Sequence, residues 1–169
     1  GGPRVFRSVI GSIEVGSKPG FFGISHDITV DYRREVYARV QQRIAERLVA
    51  GPAITELPGI VLEELVGLRE IGWGAYWHRD EDGAFRCLTV AGVDPEVETG
   101  DRREGLGMPG PFRLSWREPR GDRGGPTAMV PVGPDGVAMV AYCEPVQDPD
   151  EIERIFKPTI LLLDGYVER

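Results

Sequence analysis

The chain has 169 residues, 41% hydrophobic and 28% charged, with 20 basic against 27 acidic residues and a formal charge of −7. That length suits one domain able to bury roughly two thirds of its unfolded surface, and that composition excludes a disordered chain. The acidic balance disfavours a nucleic-acid or anionic-membrane surface, two cysteines are too few for a small disulfide scaffold, and no apolar run approaches the roughly 20 residues that span a bilayer.

Residues 1–30 read as an N-terminal extension with no assigned structure. Arg4 to Ile10 has strand-like composition, and Gly11 to Gly23 reads as a glycine-punctuated loop holding Phe21 and Phe22. The start, Gly1-Gly2, carries neither Met nor a cleavable-signal pattern, and a cytoplasmic location is expected.

Residues 31–169 read as a single domain. Val36, Val40, Ile44 and Leu48 recur every four residues, which predicts an amphipathic helix over 32–50, with Asp31 as N-cap and Gly51 as the stop. Leu57, Val61, Leu65 and Leu68 predict a second helix that ends between Arg69 and Gly72.

The period then changes. Trp73 to His78 reads as a strand, Arg79 to Gly83 as a turn, and Phe85 to Val90 as the return strand, with Asp82-Gly83 as the hairpin signal. Thr127 to Val132 and Val137 to Cys143 predict a second hairpin around Gly133-Pro134-Asp135-Gly136. Pro131 has no N–H, which confines it to a strand end or an edge position. Between the hairpins, Pro111 to Arg117 alternates well enough for one short strand. Asp148-Pro149-Asp150-Glu151 marks a helix start, and Pro158 then kinks that helix or ends it before a strand over 159–163. The expected class is α+β: an antiparallel sheet of about five to six strands with helices packed on one face.

These segments resemble the GAF domain family. The parts are Val61-Leu62-Glu63-Glu64-Leu65, then Gly74-Ala75-Tyr76-Trp77, then Asp80-Glu81-Asp82-Gly83, then Leu88 to Glu96. Ala128 to Val132 and Asp135 to Val140 look like the family's late hairpin, ahead of Asp150-Glu151-Ile152. The resemblance covers roughly residues 57–164 and is a pattern rather than a short signature. PAS and profilin-like folds share a similar element order. The family usually walls its ligand pocket with helices and strands where this chain has the short, Gly/Pro-rich stretch from Gly92 to Thr127.

The resemblance implies a non-catalytic sensor domain that binds a small molecule on one sheet face and signals through its helices. On that reading Trp77, Phe112, Trp116 and Tyr142 line the pocket and Arg113 is its polar anchor, beside the plain reading that these aromatics are core. The alternatives are an interaction or dimerisation module, with a homodimer through the helix at 32–50, and a redox enzyme using Cys87 and Cys143, as in GAF-like methionine-sulfoxide reductases. Strand cysteines are commonly buried and inert. His26 and His78 lack neighbours at ligand spacing, so no metal and no cofactor is expected. Asp80 and Asp82 beside His78 read as solvated charges at a hairpin end. Arg102, Arg103, Arg113, Arg117, Arg120 and Arg123, interleaved with acids, read as a mixed-charge loop, and Gly105-Leu106-Gly107 as flexible.

Overall fold

The computed structural model describes residues 4–92, 97–106, 115–117 and 125–143 together with Asp150, Glu153, Pro158 and Thr159, giving backbone alone at Ile54 and 115–117. Two antiparallel strands open the chain, β1 (Phe6–Val15) and β2 (Lys18–Asp27), paired from Phe6↔Asp27 to Val15↔Lys18. This corrects the loop expected from Gly11 to Gly23. Only Gly16 and Ser17 form the turn, with Gly16 at φ +67°, so Gly-Ser between alternating residues was the hairpin signal. Gly11 serves packing rather than a turn: a Cβ there would lie 2.5 Å from Phe22 Cε1, because the Phe22 ring covers that position from across the ribbon.

Helix α1 (Thr29–Val49) follows directly. Asp31 sits inside its first turn and is not the cap. The N-cap is Ile28, without a side-chain cap, and one residue before it Asp27 Oδ1 accepts from the Thr29 N–H at 3.0 Å and from Thr29 Oγ1 at 2.6 Å. The Val5 N–H donates to Thr29 Oγ1 at 2.9 Å, so the hairpin base and the helix start share one hydrogen-bonded joint. At the far end Gly51 has φ +71° and donates its N–H to Leu48 O, the glycine stop that the sequence predicts.

A 3-10 turn (Ile54–Glu56) leads into α2 (Leu57–Val66), which stops about one turn earlier than its stripe suggested. Gly67 ends it, its N–H bonding Glu63 O, and Leu68 is buried from the following turn instead. Glu64 lies between two α1 arginines, 2.8 Å from Arg43 Nε and 3.4 Å from Arg47 Nη1, while Arg47 also reaches Glu63 at 2.9 Å.

The main sheet holds β3 (Ile71–Arg79), β4 (Phe85–Gly92), β5 (Arg102–Arg103), β6 (Ser115–Arg117), β7 (Thr127–Val132) and β8 (Gly136–Tyr142) in the order β5-β4-β3-β8-β7-β6, with every pairing antiparallel. Both expected hairpins are present, and β3 pairs β8, which joins them edge to edge. The described β6–β7 pairing runs from Arg117↔Thr127 to Ser115↔Met129, and Pro131 pairs Val137 of β8 one residue before the end of β7, the strand-end position its missing N–H favours. The expected segment 111–114 and most of the expected C-terminal helix fall outside the described residues. Asp150, Glu153, Pro158 and Thr159 have helical backbone.

One face of this sheet carries both helices. Tyr37, Val40, Ile44 and Leu48 of α1 and Leu57, Val61, Leu62 and Leu65 of α2 bury against Ala128, Val130, Val132, Val140 and Tyr142. Each Val, Leu or Ile side chain among them contributes about 1.5–3 kcal/mol on leaving water. The stripe over 32–50 is therefore spent on the chain's own core, and the outward positions of α1 are mostly polar, Arg34, Glu35, Arg39, Gln42, Arg43 and Glu46 among them. Gly74 permits the close approach: a Cβ there would lie 2.7 Å from Leu62 Cδ2.

Candidate functional site

The opposite face of the sheet carries a second, separate core of Ala75, Trp77, Phe85, Cys87, Val97, Leu106, Met129, Val137 and Met139, with Trp73 and Val90 at its margin. Strand alternation places Trp73, Ala75 and Trp77 there and turns Gly74 and Tyr76 toward the helices. A bulge in β4 completes the arrangement. Tyr76 pairs Thr89 and Trp77 pairs Cys87, so Leu88 is the extra residue. Phe85 and Cys87 face the second core before the bulge and Val90 after it, a change of parity that keeps apolar groups beneath both ends of β3.

Trp77 is the centre of this face. It is 0% exposed, and it pairs with Cys87 on one side and Val137 on the other. Its indole Nε1–H is buried and has no hydrogen-bond partner among the described residues. The indole nitrogen can only donate, and an unmade buried donor costs about 1–3 kcal/mol. The Arg103 guanidinium carbon lies 5.0 Å from the Trp77 ring centroid. Strand β5 holds it there through Phe85↔Arg103 and Arg86↔Arg102, and Arg102 ion-pairs with Asp82. Arg102 and Arg103 are thus strand residues with assigned partners, not parts of a solvated loop. Leu106 is buried in the second core rather than free, and Asp80 pairs with Arg86 at 3.2 Å.

Among the described side chains expected to line a pocket, Trp77 is placed on this face. Tyr142 lies in the helix-side core near Tyr37 and Glu70, where burial raises its hydroxyl pKa and those two neighbours raise it further. A sheet therefore separates Trp77 from Tyr142, and no single pocket lines up both. The backbone of Trp116 pairs with Ala128 in β6. Phe112 and Arg113 lie outside the described residues. The sequence places Arg103 only in a mixed-charge loop, and Met129 and Met139 only in the second hairpin. The alternation Val137, Met139 along β8 could have found Met139, whereas nothing local marks Arg103 as the arginine that reaches Trp77.

Cys87 is buried, and burial, the largest cause, pushes its thiol pKa up. Cys143 is exposed just past β8. Cys87 pairs with Trp77, whereas Cys143 follows the residue paired with Ile71, so about 20 Å of strand separates the two thiols. His26 belongs to the small sheet and His78 to the large one. Among the described residues no group of three or more His, Cys, Asp or Glu could hold a metal ion, and no helix is long and apolar enough to cross a membrane.

No family model matches the chain, and no curated protein matches it. Solved structures do match. The GAF domain of a protein described as a sensor histidine kinase from Pseudomonas syringae pv. tomato superposes with a TM-score of 0.61 at 16% identity, over 82% of this chain and 91% of that one. The GAF domain of an Acinetobacter phosphoenolpyruvate-protein phosphotransferase gives 0.56 at 16% identity, over 79% and 91%. The phycoerythrobilin-bound GAF domain of a cyanobacterial phytochrome gives 0.60 at 9% identity, over 79% and 95%. With the strand order, the helices on one face and these superpositions together, the chain has a GAF-like fold.

Proposed function

We propose that this domain is a non-catalytic sensor that takes a small molecule on the sheet face centred on Trp77 and passes its occupancy to α1 and α2 through the sheet. The observation that carries the reading is the buried Trp77 Nε1–H, a donor without a partner among the described residues, set in an otherwise apolar core. Binding sites pair an apolar lining with a few convergent polar groups, and a free indole donor is such a group. Arg103, stacked on the same ring, supplies a cation at the margin. The three structural neighbours come from a sensor kinase, a phosphotransferase and a phytochrome, and one of them holds a bilin. Gly74 and Leu62 in contact range give the route from this face to α2. Phe112, Arg113 and Trp116 remain candidates for the same lining. The wide separation of Cys87 and Cys143 weighs against paired-thiol redox chemistry.

A thermal-shift screen of small heteroaromatic and anionic metabolites, paired with native mass spectrometry of the purified chain, tests this reading. A true ligand raises the melting temperature. Trp77→Phe is expected to keep the fold and lose most of that rise. A ligand whose shift is equal in both proteins places the site elsewhere, and a screen that yields no shift and no co-purifying mass sinks the sensor reading.

A further inference from the structure

The β1–β2 hairpin presents an exposed apolar surface separate from the Trp77 face. All strand residues of this ribbon are exposed except the half-buried Gly11 and Gly20, yet eight of them are large and apolar: Phe6, Val9, Ile10, Ile13, Val15, Phe21, Phe22 and Ile24. Ile10 is 76% and Phe21 81% exposed. Register sorts them by face. Val9↔Ile24, Gly11↔Phe22, Ile13↔Gly20 and Val15↔Lys18 share one face, where Val9, Ile13, Val15, Phe22 and Ile24 form a continuous apolar strip. The other face interleaves Phe6, Ile10 and Phe21 with Ser8, Ser12, Glu14, Ser25 and Asp27. A two-stranded ribbon alone is marginally stable in water, so ten fully paired positions with an uncovered apolar strip call for a partner.

We infer that this strip is a homodimer contact, in which the ribbons of two copies pack strip to strip and run antiparallel. Three observations favour a second copy over other occupants. The strip is apolar from Val9 and Ile24 to Val15, so a second copy can meet it about a two-fold axis, the commonest symmetry of protein assemblies. Its area is sufficient: a large aliphatic side chain carries roughly 60–120 Å² of apolar surface, so two strips with their backbone and flanks bury on the order of 1,000 Å² in total, the lower bound of a specific interface. The chain's charge of −7 opposes an anionic lipid surface. The antiparallel arrangement follows from the joint at Asp27 and Thr29. Each ribbon is fixed to its body at its base, so only opposite directions keep the two bodies apart. Arg7 and His26 at the base and Lys18 at the tip then sit at the rim, where their mutual repulsion is screened.

Sedimentation velocity on the whole chain, from micromolar to millimolar, tests the inference. The expected result is a doubling of mass that strengthens with added salt and is lost in Ile24→Asp, while the body's thermal unfolding is unchanged. Spin labels at Ser17→Cys in a Cys143→Ser background provide a second readout. Two ten-residue strands rising about 3.4 Å per residue place the tips of antiparallel ribbons about 35 Å apart. A monomer at every concentration overturns the inference, as does a dimer that persists in Ile24→Asp. Labels close to contact, or an open-ended polymer that signals edge pairing, overturn it too.

Discussion

Arg103 and Trp77, twenty-six positions apart in the chain, stack with the guanidinium carbon 5.0 Å from the ring centroid. The contact ties an edge strand of the sheet to the centre of the face opposite the helices. Arg103→Ala is expected to cost about 1 kcal/mol in urea unfolding, the range of a partly desolvated cation–π pair. Arg103→Lys retains part of that. A neutral result for Arg103→Ala means that the stacking is not maintained in solution.

The Gly74–Leu62 contact predicts a coupled pair. A methyl at 74 would lie 2.7 Å from Leu62 Cδ2 and 3.3 Å from Met139 O. Gly74→Ala is expected to destabilise by about 1–3 kcal/mol through overpacking, and Leu62→Ala by about 2–5 kcal/mol through cavity formation. The double variant should fall short of their sum by at least about 0.5 kcal/mol, because the new methyl fills the space the leucine leaves. Strict additivity in a double-mutant cycle would remove the contact.

The two thiols should differ in reactivity and in their effect on stability. Iodoacetamide is expected to label Cys143 in the native protein and Cys87 only after unfolding, read as successive mass additions. Burial raises the folded-state pKa of Cys87 above its unfolded value of about 8.5, so the folded state keeps the proton longer. The corresponding stability is present below about pH 8.5 and falls as pH rises toward the folded pKa. A Cys87→Ala variant should show a shallower alkaline loss. Equal slopes in the two proteins would contradict this assignment.

Glu64, whose side chain is 17% exposed, bridges Arg43 and Arg47, whereas the Glu35–Arg39 pair on the outer face of α1 is largely in water. Glu64→Gln is expected to cost about 1 kcal/mol and Glu35→Gln only about 0.3 kcal/mol. Chemical denaturation at low and high salt checks both, with the Glu64 effect the less sensitive to salt. The reverse order would mean that the α1–α2 contact is set by its apolar residues alone.

Local periodicity carried most of the fold. The four-residue recurrence from Val36 to Leu48, Gly51 as a stop, and Asp82-Gly83 between apolar runs are short-range signals, since the backbone conformation each residue permits decides them. The first hairpin is not legible locally, because glycines at this spacing read as loop punctuation, whereas Gly11 makes room for a ring across the ribbon and, of these glycines, Gly16 turns the chain. The candidate site was less legible. Trp77 stood out by composition, and so did Tyr142, yet a strand's two faces receive aromatics alike, and only the neighbours in three dimensions separate them.

From its letters alone, the chain determined its α+β class, its two central hairpins and the apolar stripe of α1, because each depends on contacts a few residues apart. Tertiary structure decided that β3 pairs β8, that the bulge at Leu88 turns Cys87 and Val90 to one face, and that Arg103 reaches Trp77. Those depend on which distant strands lie side by side, and pairing partners are chosen by the burial of whole faces, a property that no local window contains.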